Sequence, residues 1–262
     1  MHMKRLSSSK FFMNISMVRR YAIFFLRSLL IFKNPLAVIW NYIIRKTPSS
    51  KEISLRNGTK IYLSSHQHDV TTVFLIFARQ EYMKIELDSI VLDIGANIGT
   101  FSLFAAQYKP KKIYAVEPSL EAYTILQRNI ILNKLENVIK PYWNFIAAKD
   151  DVKVNFPIKS SPYNELFILN GGEEVEQITS ITIQNLIESN HIEKVDYLKI
   201  DCEGCEYDVF LNMDDAIFHK IKNIVMEYHR GPLDELISHF NKHGFCVSHQ
   251  NSYGNILWLT KS

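Results

Sequence analysis

Residues 18–44 are dominated by apolar and aromatic side chains, but Arg20, Arg27, Asn34 and Asn41 recur every seventh position. That spacing predicts helix with a narrow polar stripe, broken near Asn34 because Pro35 cannot continue a helix begun before it. From Lys51 the period drops to two. Ile53 and Leu55, the pair Asn57-Gly58, then Ile61 and Leu63 predict a hairpin with a tight turn. Asp69 is then positioned to cap a helix running to about Arg79, with Val73, Phe74 and Phe77 at helical spacing.

From Ser89 onward apolar strands alternate with amphipathic helices, the pattern of a parallel sheet covered on both faces. Strands are predicted at 89–94, 112–117, 138–146, 152–157, 178–181, 195–201 and 223–228, and helices at 99–108, 119–132, 182–190, 205–213 and 233–243. Residues 245–248 and 256–260 flank a turn at 251–255 and predict a C-terminal antiparallel hairpin. The chain thus divides into a basic, apolar helical segment (1–50), a hairpin and helix leading into the core (51–88) and an α/β domain (89–262).

With 262 residues, 47% of them apolar and 22% charged, the chain can bury one full core, which excludes disorder and disulfide scaffolding. Cys202, Cys205 and Cys246 cannot all pair, and two lie within four residues, so free thiols in a reducing, cytoplasmic compartment are expected. The net charge of +3 hides an asymmetry: residues 1–51 hold ten Lys/Arg and no acid, leaving residues 52–262 at −7. Three readings of the basic segment stand: helices packed on the main domain, a peripheral contact of residues 18–44 with an anionic membrane surface, or a targeting peptide. It is too interrupted to span a bilayer. Nucleic acid is not expected as a partner, because so much interleaved apolar surface would serve no purpose there.

Glycine is sparse, nine in all, yet Gly95, Gly99 and Gly204 fall at predicted strand tips. The run Asp93-Ile94-Gly95-Ala96-Asn97-Ile98-Gly99-Thr100 joins a buried strand to a helix, where doubly wound sheets bind nucleotide-like ligands. The dinucleotide fingerprint fails, since its later glycines would fall on Asn97 and Thr100, and no phosphate-binding lysine follows. A carboxylate at Asp93 repels a pyrophosphate but suits a ligand carrying an ammonium group, such as S-adenosylmethionine. Glu117, at the tip of the next strand and followed by Pro118, can accept both ribose hydroxyls. Phe145 can pack on the adenine.

A second cluster, Lys199-Ile200-Asp201-Cys202-Glu203-Gly204-Cys205-Glu206 with Glu227-Tyr228-His229 downstream, emerges on the same rim. Buried carboxylates are costly without partners, so packing alone does not explain Asp201 and Glu203. Helix capping is their structural alternative. Cys202-x-x-Cys205 lacks both a second zinc-ligand pair and a thioredoxin-like context.

Together with Val116-Glu-Pro-Ser119, Asn129-Ile-Ile-Leu-Asn133 and Leu198-Lys-Ile-Asp-Cys-Glu-Gly-Cys-Glu206, these motifs resemble the FkbM family of S-adenosylmethionine-dependent methyltransferases over roughly residues 51–260. The resemblance implies a Rossmann-like class I methyltransferase fold: a mostly parallel seven-stranded sheet with a C-terminal antiparallel hairpin. It implies S-adenosylmethionine as cofactor, with Asp93, Gly95, Asn97, Gly99 and Glu117 at motif positions and Ala96, Thr100, Pro118 and Phe145 beside them. It also implies O-methylation of a sugar, glycan, polyketide or lipid-linked hydroxyl. Asp201, Glu203, Glu227 and His229 are the candidate bases, His229 having the most suitable ordinary pKa. No metal is assigned; Asp201, Glu203 and His229 would be the ligands if a divalent cation took part. Residues 159–174, with Tyr163 and Gly171-Gly172, are a candidate acceptor-side lid. Other readings are a cofactor-binding or membrane-associated module without catalysis, a methyltransferase acting on nitrogen, and a dehydrogenase, which NAD binding would reveal.

Overall fold

The computed structural model describes residues 8–80, 82, 85–158, 174–251 and 255–261, with first-helix side chains at Arg19 and from Tyr21 onward. Two helices open it, α1 (Ser8–Ile31) and α2 (Pro35–Ile44). The predicted break is present. Pro35 occupies the first turn of α2, where a missing N–H is no loss. The predicted hairpin follows as β1 (Glu52–Ser54) and β2 (Lys60–Tyr62), with Ile53 opposite Ile61 and both buried. Next, α3 (His68–Val73) runs into a π-helical stretch, Phe74–Arg79. Asp69 is not its cap. Gln67 holds that position, and the buried Asp69 carboxylate accepts the Ser64 N–H at 2.6 Å.

The remaining elements are β3 (Ile90–Ile94), α4 (Thr100–Ala106), β4 (Lys112–Val116), α5 (Leu120–Leu132), β5 (Ile139–Tyr142), β6 (Phe145–Ile146), β7 (Lys153–Pro157) and β8 (Val175–Ile181). They continue as α6 (Ile183–Ser189), β9 (Val195–Ile200), α7 (Glu206–Leu211), α8 (Asp215–Lys220), β10 (Ile221–Glu227), α9 (Leu233–Lys242), β11 (Phe245–Asn251) and β12 (Ile256–Lys261). Seven strands form one sheet in the order β11-β12-β10-β9-β3-β4-β5. Only β12 runs against its neighbours. This is the Rossmann-like class I arrangement. Its strand order reverses direction between β3 and β9, opening a crevice at their C-terminal ends. Val91 contributes to one apolar layer and Leu92 and Ile94 to the other, so β3 is buried on both faces.

Elsewhere the elements differ from expectation at two places. The apolar run 138–146 is two strands: β5 stays in the main sheet, while β6 pairs with β8 in a separate three-stranded sheet. The chain changes sheet at Trp143 and Asn144, whose side chains donate to Pro118 O and Thr179 O at 2.9 and 3.0 Å. The six-residue α8, capped by Asp214 on Ala216 N, is too short to show periodicity and was not predicted. The candidate lid at 159–174 lies outside the described residues except for Glu174, as do residues 252–254 of the last turn.

The leading hairpin is bound to the core by two amides. Asn129 accepts from Tyr62 N–H at 2.7 Å and donates to Tyr62 O and Ile98 O at 3.0 and 2.8 Å. Asn133 accepts from Lys60 N–H and donates to Lys60 O, so the pair extends the ladder beyond the free edge of β2. Asn129 is fully buried. Asn129→Ala is therefore expected to cost about 2–4 kcal/mol, and Asn133→Ala, at a half-buried position, less than about 1 kcal/mol. Urea unfolding of the two variants checks this; equal midpoints would refute the assigned roles.

Candidate functional site

The loop after β3 is shaped by backbone that only certain residues adopt. Gly95 has φ +70°, and a Cβ there would run into the carbonyl oxygen of Asp201 at the tip of the neighbouring strand. The N–H groups of Gly95 and Ala96 both reach Val116 O at 3.0 Å. Asn97, at φ +50°, donates its N–H to Glu117 Oε2 at 2.7 Å, so the second acidic motif residue holds the first loop.

Beneath the loop lies a buried ion pair. Asp93 and Lys199 face each other in register across β3 and β9, with Lys199 Nζ 3.3 Å from Asp93 Oδ1. Ser102 donates to Asp93 Oδ2 at 2.6 Å, and Lys199 also donates to Ile94 O and Gly95 O at 3.1 and 2.7 Å. Burial opposes the lysine charge, but Asp93, Asp201 and Glu227 outweigh it and hold the pKa above the ordinary lysine value. The structure thus places Asp93 below the cavity and not on its wall. Its side chain is fully buried and serves the loop through Lys199 and Ser102; it does not line the cavity.

A cavity of about 280 Å³ opens above the loop. Of the residues singled out from sequence, Gly95, Ala96, Asn97, Thr100, Glu117, Pro118, Phe145, Asp201, Glu203 and Glu227 line it, whereas Asp93, Gly99 and His229 do not. Gly99, at φ +86°, instead begins α4 against Leu126. Unpredicted walls come from Thr72 and Ile76, on α3 and the π-helical stretch. Burial pushes the Glu117 carboxyl up to about 7 despite the N–H groups of Ser119 and Asn97 on its oxygens. Hydroxyl donors from a ribose would favour its ionised form. Thr100 Oγ1 is buried in the lining with no hydrogen-bond partner. An acidic tip, an apolar wall at Phe145 and Ile146, an unmatched hydroxyl and a close-approach glycine fit an adenosine-bearing ligand with no phosphate.

At the other end of the crevice, Asp201 and Glu227 stand at neighbouring strand tips. Burial raises both carboxyls; the Asp201 carboxylate adds to it at Glu227, taking that group up to about 8, and Glu203 adds to it at Asp201. Asp201 Oδ1 is buried without a hydrogen-bond partner. His229 is clamped: Nε2 lies 3.1 Å from Glu203 Oε2 and Nδ1 lies 3.0 Å from Glu206 Oε1. Glu203 and then Glu206 push the imidazole up to about 11, so at neutral pH it is an imidazolium with both nitrogens engaged. Both ring nitrogens are thus held by carboxylates, an arrangement that favours a positioning part for His229 over that of base.

Glu206, absent from the sequence candidates, organises the turn: its oxygens also accept from Cys202 and Gly204 N–H at 3.2 and 3.1 Å. Cys202 and Cys205 are joined as a disulfide, with Cα atoms 5.5 Å apart. The expectation of free thiols is overturned for this pair, and with it the argument from cysteine for a reducing compartment. One oxygen or nitrogen from each of Asp201, Glu227 and His229 lies within 4.8 Å of the others, which replaces Glu203 by Glu227 in the alternative metal set. A cation there would have to displace the proton that Glu203 and Glu206 hold on His229.

Comparison with known proteins agrees with this geometry. The Methyltransferase FkbM domain matches residues 93–247, more than half of the chain. FkbM of Streptomyces tacrolimicus, a 31-O-demethyl-FK506 methyltransferase, is 27% identical over 211 residues, covering 66% of this chain and 80% of that protein. The AMB antimetabolite synthetase AmbE of Pseudomonas aeruginosa is 28% identical over 204 residues, 62% of this chain and 10% of AmbE. The hexuronic acid methyltransferase AglP of Haloferax volcanii is 25% identical over 152 residues, 56% of this chain and 58% of AglP. The chain thus spans less than two thirds of AmbE and of AglP. A glycine-cradled crevice, an acid at the second strand tip and this match lead to one statement: the chain belongs to the FkbM methyltransferase family and carries its S-adenosylmethionine-dependent methyltransferase domain.

Proposed function

We propose that this protein methylates a hydroxyl oxygen of a small molecule, with a sugar, glycan, polyketide or lipid-linked alcohol as the acceptor class. The observation that carries the reading is the pair Asp201 and Glu227, two carboxyls on adjacent strand tips that line the same cavity as Glu117 and the Gly95 loop. S-adenosylmethionine supplies an activated methyl group when bound. Glu117, Asn97 and Phe145 are suited to hold its adenosine, and the unmatched Thr100 hydroxyl offers a further contact. The relatives FkbM and AglP, named for 31-O-demethyl-FK506 and a hexuronic acid, support a small acceptor.

The residues on the acceptor side divide the work. Glu227, raised to about 8 by burial and by Asp201, would take the acceptor hydroxyl's proton as the methyl passes to that oxygen and its bond to sulfur breaks. His229 keeps its proton and fixes Glu203, and through Glu206 the turn that carries Asp201. A positioned acceptor needs little further assistance, because alignment itself supplies much of the rate.

Since the working base is the ionised carboxylate, turnover should rise with pH through about 8. Glu227→Gln should remove that rise and lower kcat by about 10²–10⁴ while leaving S-adenosylhomocysteine affinity within about threefold. Transfer of labelled methyl to a panel of sugars, hexuronates and alkyl glycosides, followed across pH, measures both. A fully active Glu227→Gln variant would end the assignment. Thermal stabilisation by NAD but not by S-adenosylhomocysteine would end the wider reading.

A further inference from the structure

The helix pair α1–α2 turns an apolar face to solvent. On α2, Val38 is buried and Tyr42 stacks on Phe74 with ring centroids 4.1 Å apart. The opposite side carries Leu36, Trp40, Ile43 and Ile44, spaced i, i+4, i+7 and i+8, with Leu36, Trp40 and Ile43 each more than 60% exposed. On α1 the exposed side includes Tyr21, Leu26 and Leu30. A helix at home in water reverses this order and presents polar residues outward. Among the described residues, nothing covers the face.

Charge selects the occupant. Arg19, Lys33, Arg45 and Lys46 are exposed around the apolar stripe, and residues 1–51 contain no acid. A second copy docked through the same face would set two acid-free basic segments against each other. An anionic bilayer meets both demands, taking the apolar stripe and Trp40 into the headgroup boundary while its phosphates receive the cations. No described helix is long and apolar enough to cross a membrane, so the pair lies along the surface. We propose that α1–α2 is a lipid-surface docking element specific for anionic membranes.

The element is joined to the site. Tyr42 packs on Phe74, Arg79 lies over the Phe24 ring at 5.4 Å, and Arg27 donates to Arg79 O at 3.4 Å. Two residues to either side of Phe74, Thr72 on α3 and Ile76 on the π-helical stretch line the cavity. Docking therefore sets the cavity wall one helical layer from the lipid. On the methyl-transfer reading, this favours an acceptor with a hydrocarbon tail.

Flotation of the full chain on vesicles tests the docking itself and does not depend on activity. The protein should float with phosphatidylcholine vesicles containing about a third phosphatidylglycerol and much less with phosphatidylcholine alone. Leu36→Ser/Trp40→Ser/Ile43→Ser should reduce binding by about tenfold or more. Lys33→Gln/Arg45→Gln/Lys46→Gln should abolish the preference for anionic lipid. Because all six positions are exposed, both variants should keep the wild-type melting midpoint and S-adenosylhomocysteine affinity. The proposal is overturned if wild type does not float, if the apolar variant floats as well as wild type, or if the face forms a dimer in solution that excludes vesicles. Normal flotation without methyl transfer would leave docking intact and remove only the catalytic reading.

Discussion

Asp93→Ala is expected to destabilise the protein by about 3–5 kcal/mol and to weaken cofactor binding only as a consequence of that loss. The carboxylate is fully buried and lies 3.3 Å from the Lys199 ammonium. Removing it strands a buried cation and leaves the Ser102 hydroxyl without its acceptor. Asp93→Asn keeps that acceptor and should be milder. Asp93→Asn/Lys199→Met removes both charges and should be less destabilised than Lys199→Met alone, which leaves an uncompensated buried carboxylate. Full recovery is not expected, because Lys199 also binds Ile94 O and Gly95 O. Urea midpoints of the variants decide it. If Asp93→Ala unfolds like wild type yet fails to bind S-adenosylhomocysteine, the carboxylate contacts the ligand directly and the foundation role assigned to it is wrong.

Gly95→Ala should be as damaging by a different route. An alanine at φ +70° costs about 1–2 kcal/mol from its own backbone. Its methyl would also overlap the Asp201 carbonyl oxygen, which is backbone and cannot rotate aside. The two strand tips must separate, so a total loss of about 3 kcal/mol or more is expected, together with loss of measurable S-adenosylhomocysteine binding by calorimetry. Gly204 provides the control. It has φ +112°, but nothing lies within 4 Å of an added Cβ, so Gly204→Ala should show the backbone penalty without the collision. Equal behaviour of the two variants would mean that backbone conformation, not the approach of β3 to Asp201, explains the glycine at 95.

The order of strands and helices was readable because burial on both faces of a parallel sheet leaves long apolar runs, as at Ile90–Ile94 and Val195–Ile200. The cofactor loop was readable because glycine is scarce in this chain and Gly95 and Gly99 fall at a strand tip and a helix start. Asp93 and Lys199 were both noticed, but no local pattern states that strands 106 residues apart in sequence are neighbours in register. The surroundings of His229 are hidden from local sequence for a related reason. An ordinary imidazole pKa makes it a natural base, but Glu203 and Glu206 on a distant turn convert it into a fixed cation. The break of residues 138–146 into two sheets leaves no mark in the sequence, because an apolar run looks the same whichever sheet it joins.

Residue spacing alone determined the architecture of alternating strands and helices and the place of the glycine loop and the acids at strand tips, because each depends on neighbours within one element or one turn. Three matters were left to the tertiary structure: which carboxylate supports the loop and which faces the cavity, which rim groups stand beside one another, and that the apolar side of α1–α2 points to solvent. Those depend on strand register and on charges brought together across the sheet. Their energies are set by burial, and burial exists only after the chain has folded.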